Sequence, residues 1–210
     1  FMESVPERRE LHDPENALVS RRDGIVIYHM ADNSLDVAMT GQLRTALDSL
    51  GFRFPAKLFA GRPSHRKEYD EGWLLTDSAD RLYHLKQVDG KPVVELFPEA
   101  DSIGIQHIII TEFKNHSTLG YLTGKDNELW FLRPDGSVVP TGIYFNPGRE
   151  HLLVIGDMLY YTIKTYDNDG EHFFALRSDD FSLVDSMDRP YGFEEDVNLC
   201  KYILPCRLRF

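Results

Sequence analysis

Cysteine, positive charge and long apolar runs are all scarce in this chain, and each scarcity closes off a class of protein. Only two cysteines occur in 210 residues, Cys200 and Cys206. An extended strand carries them about 20 Å apart, far beyond the Cα spacing of a disulfide, so both are expected as free thiols. Neither a disulfide-rich secreted scaffold nor a zinc ribbon fits. Lys and Arg total 23 against 34 Asp and Glu, a formal net charge of −11. Clustered basic residues supply most nucleic-acid affinity, so no nucleic acid is expected as a partner. The same acidity tends to repel an anionic lipid surface. No run reaches the ~18–20 apolar residues that cross a bilayer, and no signal-peptide pattern opens the sequence. Attachment to a membrane is therefore expected only through segments outside this chain. The sequence opens Phe1-Met2-Glu3 and stops in mid-pattern at Arg207-Leu208-Arg209-Phe210, as an excised piece of a longer protein would.

Catalytic signatures are missing as well. There is no Gly-x-Ser-x-Gly elbow and no glycine loop leading into Lys-Ser/Thr, which disfavours the familiar hydrolases and phosphotransferases. The eight histidines are scattered without His-x-His or His-Glu-x-x-His spacing, so no metal and no cofactor are expected. Asp167-Asn168-Asp169-Gly170-Glu171 resembles half of a calcium loop. With Gly170 at the sixth position, however, the first and twelfth fall on Thr165 and Leu176, and a hairpin turn accounts for the same residues.

What is present is a repeat. Three times an apolar, aromatic-bearing strand runs into Asp-Gly and a second strand: Leu82-Tyr83-His84-Leu85 before Asp89-Gly90, Leu129-Trp130-Phe131-Leu132 before Asp135-Gly136, and Leu159 to Ile163 before Asp169-Gly170. Asp-Gly suits tight turns needing positive φ, and the alternation gives each hairpin a face to bury. Gly72 to Val94 matches Gly120 to Val139 almost element by element. Ile105–Ile110 and Gly120–Thr123 read as further strands. The interval from Leu82 to Leu129 has the size of a four-stranded blade, roughly 40–50 residues, and that from Leu129 to Leu159 falls short of it. The fold class is thus mainly β: stacked antiparallel hairpin repeats, propeller-like, short and irregular enough to be an incomplete propeller, with closure and blade number left open by the sequence and one short N-terminal helix.

With 42% hydrophobic and 27% charged residues the chain has material for one domain with a core, or for a β domain with a small N-terminal subdomain. Residues 1–20 read as an extended lead-in, 21–71 as a strand-helix segment and connector, and 72–210 as the β-repeat domain, or 21–210 as one continuous domain. Ile25–Tyr28 reads as the first strand. Apolar residues at spacings of three and four between Ser34 and Leu50 predict the helix, starting at Ser34 or Thr40 and capped by Gly51.

The connector holds the densest set of functional atoms: Arg62, His65, Arg66, Lys67, Glu68, Asp70 and Glu71, followed by Trp73. Cations beside paired carboxylates suit binding of an anionic or sugar ligand, or acid–base work if the two carboxyls titrate apart. A solvated connector stiffened by ion pairs suits the same residues. Adjacent strand residues face opposite ways, so Asp70 and Glu71 cooperate only if the chain turns there. Neighbouring aromatics such as Tyr144-Phe145 and Tyr160-Tyr161 place one ring inward and one outward, and the outward set suits stacking or protein contact.

Phe54-Pro55, Gly61-Arg62-Pro63, Arg66-Lys67 and Asp70-Glu71-Gly72, followed by Gly90-Lys91-Pro92, Gln106-His107-Ile108 and Gly156-Asp157, resemble a family of domains in Bacteroidetes membrane proteins found beside ABC-type transporter components. The resemblance covers roughly Leu35 to Asp185. It implies an extracytoplasmic, periplasmic domain flanked by membrane helices, with transporter subunits or another cell-envelope protein as partners and no established activity. The leading expectation is a non-enzymatic interaction domain contacting its partner or ligand through Arg62, His65, Arg66, Lys67, Asp70, Glu71 and Trp73, with no catalytic residues. The competing expectation is a carbohydrate-active hydrolase using paired carboxylates, which needs a carboxylate pair about 5–10 Å apart in a cleft. A structural spacer is the third.

Overall fold

The strands begin earlier than the sequence pattern suggests. A computed structural model describes residues 1–4, 11, 13–67, 69–113 and 116–191. In it β1 (Asn16–Arg21) pairs antiparallel with β2 (Gly24–His29), so Ile25–Tyr28 lies in the second strand. Leu18 of β1 and Ile25 and Ile27 of β2 supply the apolar contacts that hold the hairpin on the core. The cysteines fall outside the described residues.

Helix α1 (Val37–Ser49) starts at neither Ser34 nor Thr40 but at Asp36, whose carboxylate accepts the Met39 N–H at 2.9 Å. Thr40 is occupied otherwise, its hydroxyl accepting from the Ile27 N–H at 3.0 Å. The C-terminus follows the expectation. Gly51 has φ +71°, its N–H bonds to Asp48 O, and the Phe52 N–H reaches back to Leu47 O, the paired bonds of a Schellman cap.

The rest of the described chain is three consecutive four-stranded antiparallel meanders. The first is β3 (Leu58–Gly61), β4 (Trp73–Thr76), β5 (Leu82–Val88) and β6 (Lys91–Phe97). A short 3-10 helix, Pro98–Ser102, leads to the second: β7 (His107–Ile110), β8 (Gly120–Thr123), β9 (Glu128–Leu132) and β10 (Val138–Tyr144). The third is β11 (His151–Gly156), β12 (Tyr160–Tyr166), β13 (Gly170–Arg177) and β14 (Leu183–Pro190). The protein is therefore mainly β, with four antiparallel sheets, one α-helix and no closed barrel among the described residues. Each meander has the strand order of a propeller blade. The last strand of each carries a proline: Pro92, Pro140 and Pro190.

The chain divides into two compact units, Phe1–Phe145 and Asn146–Phe210. In the first, alternation along the strands sorts side chains between two cores. Leu75, Tyr83 and Leu85 join Ile27, Leu43 and Leu47 in a layer between the helix with its hairpin and the β3–β6 sheet. Leu74 and Leu82, pointing the other way, meet Leu119, Leu122 and Leu132 of the β7–β10 sheet. In the second unit β12 alternates between exposed and buried residues, with Tyr161 and Ile163 inward beside Leu176 and Phe181.

The three Asp-Gly turns differ. Asp89 and Gly90 both take positive φ (50° and 69°), as a two-residue hairpin turn with matching twist requires. At the second turn only Gly136 does (φ 84°), following Pro134 and Asp135. At the third neither residue does: the Asp167 carboxylate accepts the N–H groups of Asp169 and Gly170 and shapes the turn instead. Pairing also refines the internal repeat. Trp73 opposes Leu85 and Gly120 opposes Leu132, so Trp73 corresponds to Gly120, one residue from a glycine-on-glycine alignment.

Candidate functional site

The connector from Gly61 to Trp73 is the loop between β3 and β4. The loop between β7 and β8 is its counterpart in the next sheet, and β3 and β7 lie against each other. The two loops are joined through Lys67. Its ammonium donates to Arg62 O at 2.6 Å, to Asp70 Oδ1 at 2.5 Å and to Glu112 Oε1. The side chains of Lys67, Asp70 and Glu112 are 5%, 4% and 1% exposed. Buried charges persist when paired and hydrogen-bonded, and most of this cluster meets that condition. Asp70 Oδ2 accepts from the Gly72 N–H and the Ser4 hydroxyl, and Glu112 Oε1 also accepts the Glu71 N–H. Glu112 Oε2 has no hydrogen-bond partner among the described residues.

Asp70 and Glu71 do diverge. The Glu71 carboxylate pairs with Lys86 at 3.0 Å, and His116 Nδ1 lies 3.6 Å from it. The chain turns sharply after Glu71, where Gly72 has φ +73° and a Cβ would sit 2.2 Å from Leu85 O. The Glu71 carbonyl accepts from Nε2 of buried His84 at 2.6 Å, and burial holds the His84 imidazole below its ordinary pKa. Tyr69 donates its hydroxyl to Phe113 O, and its ring packs tilted against His116 with centroids 4.0 Å apart.

The remaining predicted residues lie outside this buried cluster. Arg62, His65 and Arg66 are exposed, and His65 bonds to Asp13. Trp73 is half-buried, its ring 4.6 Å from Phe59 and packed where Gly61 has no side chain, since a Cβ there would stand 2.3 Å from the indole. Glu68 lies outside the described residues.

Sequence reasoning missed Glu112, which no spacing marks and which reaches Lys67 only through the packing of one sheet on the next. It also missed Asp77 in the β4–β5 turn, whose Thr-Asp-Ser-Ala-Asp run carries the signature of a side-chain-capped turn. Its buried carboxylate takes the N–H groups of Ala79 (2.8 Å), Arg81 (3.0 Å) and Arg53 (3.2 Å), and Arg81 Nη2 at 2.7 Å. Burial alone would raise this carboxyl, but the bonds from Arg81, Ala79 and Arg53 outweigh it and hold it below the ordinary value. The neighbouring Tyr83 hydroxyl is pushed up to about 12 by burial and then by the Asp77 charge.

The candidate calcium turn is closed on itself by the Asp167 bonds, and no group of three metal-ligating side chains occurs among the described residues. No helix among the described residues is long and apolar enough to cross a membrane. Fold and site thus define a β-meander scaffold whose first two four-stranded sheets are joined at their loops by a buried ion cluster. A family model described as "Domain of unknown function (DUF4857)" matches residues 1–176, and the chain belongs to that family. No curated protein and no solved structure matches it.

Proposed function

We propose that this chain is a non-enzymatic interaction domain of a membrane protein, standing on its extracytoplasmic side and accessory to a transporter complex. The observation that carries the reading is the division of labour in the β3–β4 loop. Asp70 and Glu112, both bonded to one ammonium, are 4% and 1% exposed and so withdrawn from any substrate. Arg62 and Arg66 stand in solvent on the outside of the same loop. A glycosidase needs its two carboxyl groups in contact with the sugar, and this pair is spent on holding the loop. What the loop offers outward is guanidinium, the group best suited to carboxylate or phosphate on a partner. The placement at the membrane and beside a transporter rests on the sequence resemblance.

Co-purification of the intact membrane protein from its native host tests the proposal, with R62E/R66E as the comparison. Transporter subunits recovered with the wild type and lost with the double variant support it. Recovery of no envelope protein by the wild type overturns it, and hydrolysis of a glycan by the purified chain would favour the enzyme.

A further inference from the structure

The β11–β12 hairpin ends in a tip that exposes apolar side chains on a hydrogen-bonded backbone. Met158 is 92% exposed and Leu159 68%, with Ile155 and Tyr160 exposed on either side. Contiguous exposed apolar surface marks contact sites, and here four apolar side chains share one hairpin end. The backbone beneath is tied down. The Asp157 N–H donates to Tyr160 O, and Asp157 Oδ1 accepts the N–H groups of Leu159 and Tyr160, both at 2.7 Å. From the β13–β14 turn, the Ser178 hydroxyl donates to Met158 O at 2.8 Å and the Ser178 N–H to Leu159 O at 3.0 Å. A turn with most of its backbone groups already bonded strands few of them on entering an apolar site, and a braced turn loses little conformational freedom on binding.

One group at the tip chooses among possible occupants. The Asp157 carboxylate uses only Oδ1 on the backbone, and those bonds, from Tyr160 and then Leu159, keep it below the ordinary aspartate pKa and therefore ionised. An ionised carboxylate between the apolar residues opposes insertion into hydrocarbon and is repelled by anionic headgroups. It complements a cation at the edge of a protein groove. We propose that the tip docks into another protein, seating Met158 and Leu159 in an apolar groove whose rim presents Lys or Arg to Asp157.

The test is photo-crosslinking of the full-length protein in its native host, with p-benzoylphenylalanine at position 158. The expected result is one protein adduct, joined at a peptide of apolar residues containing Lys or Arg. L159D should lower its yield about tenfold, as loss of a central apolar anchor does. D157N keeps an oxygen for both backbone N–H groups and removes the charge, so it should lower the yield roughly threefold at low salt, the range of an exposed ion pair. Leu159 is solvated in the free chain, so purified L159D should melt with the wild type. Adducts only to lipid, to a second copy or within the same chain overturn the proposal, as does no adduct or a yield unchanged by L159D.

Discussion

Lys67 and Glu112 meet across 45 residues of chain, ammonium to carboxylate, in a place almost closed to water. Removing the cation leaves Asp70 and Glu112 as uncompensated buried charges. K67M should therefore cost about 3–5 kcal/mol. Urea unfolding of K67M and E112Q beside the wild type checks this. E112Q should be the milder variant, since Gln keeps an acceptor for Lys67 and the Glu71 N–H. Equal stability of K67M and wild type would remove the staple from the account of the fold.

Gly72 and Gly90 both have positive φ, yet they should respond differently to substitution. A Cβ at Gly72 would collide with the Leu85 carbonyl, while none at Gly90 meets anything within 4 Å. G72A should lose more than the about 1–3 kcal/mol of a strained backbone alone. G90N, placing a residue that tolerates the left-handed region in open space, should stay within about 1 kcal/mol of wild type. Thermal melts of the two variants separate a turn that needs only its dihedral from one that also needs the space.

Asp77 makes acid sensitivity local. Its folded pKa lies below the ordinary 3.8, so its stabilising contribution is complete above that value and is lost as pH falls through the lowered one. D77N should destabilise the chain at pH 7 by about 1–3 kcal/mol, because the buried amide cannot accept every bond the carboxylate did. The gap between wild type and D77N should close as pH falls below 4, read as the difference in urea midpoints at each pH.

His84 acts in a higher window with the same sign. Burial lowers its pKa from 6.5, so the fold prefers the neutral ring and loses stability as pH drops below 6.5, where the unfolded chain takes up a proton more readily. Melting temperatures measured between pH 7.5 and 5.5 should fall for the wild type and vary less for H84Q, whose amide keeps a donor for the Glu71 carbonyl.

The hairpins were legible because their signals are local: Leu82-Tyr83-His84-Leu85 before Asp89-Gly90 fixes a strand, a turn and a buried face within a dozen residues. The Gly51 cap was legible for the same reason. β1 was not, because its strand character rests on pairing with β2 rather than on its own alternation. The chemistry-bearing stretch was visible in composition, but its roles were not. Nothing near Lys67 in the sequence says that one of its two carboxylates comes from Glu112, since that pairing depends on how one sheet lies on the next. Among the neighbouring aromatics the inward–outward rule held for Tyr144-Phe145 and Tyr160-Tyr161 but not for Phe173-Phe174, both half-buried in β13.

Pro92, Pro140 and Pro190 give the outermost strands a common limit. Each removes one N–H from the strand that carries it, so a neighbour trying to extend the sheet sideways finds an interrupted ladder. The first strands, β3, β7 and β11, carry no such block. Each sheet is therefore guarded against widening at one edge only, so a β-rich chain built this way halves the number of edges that could lead to fibres.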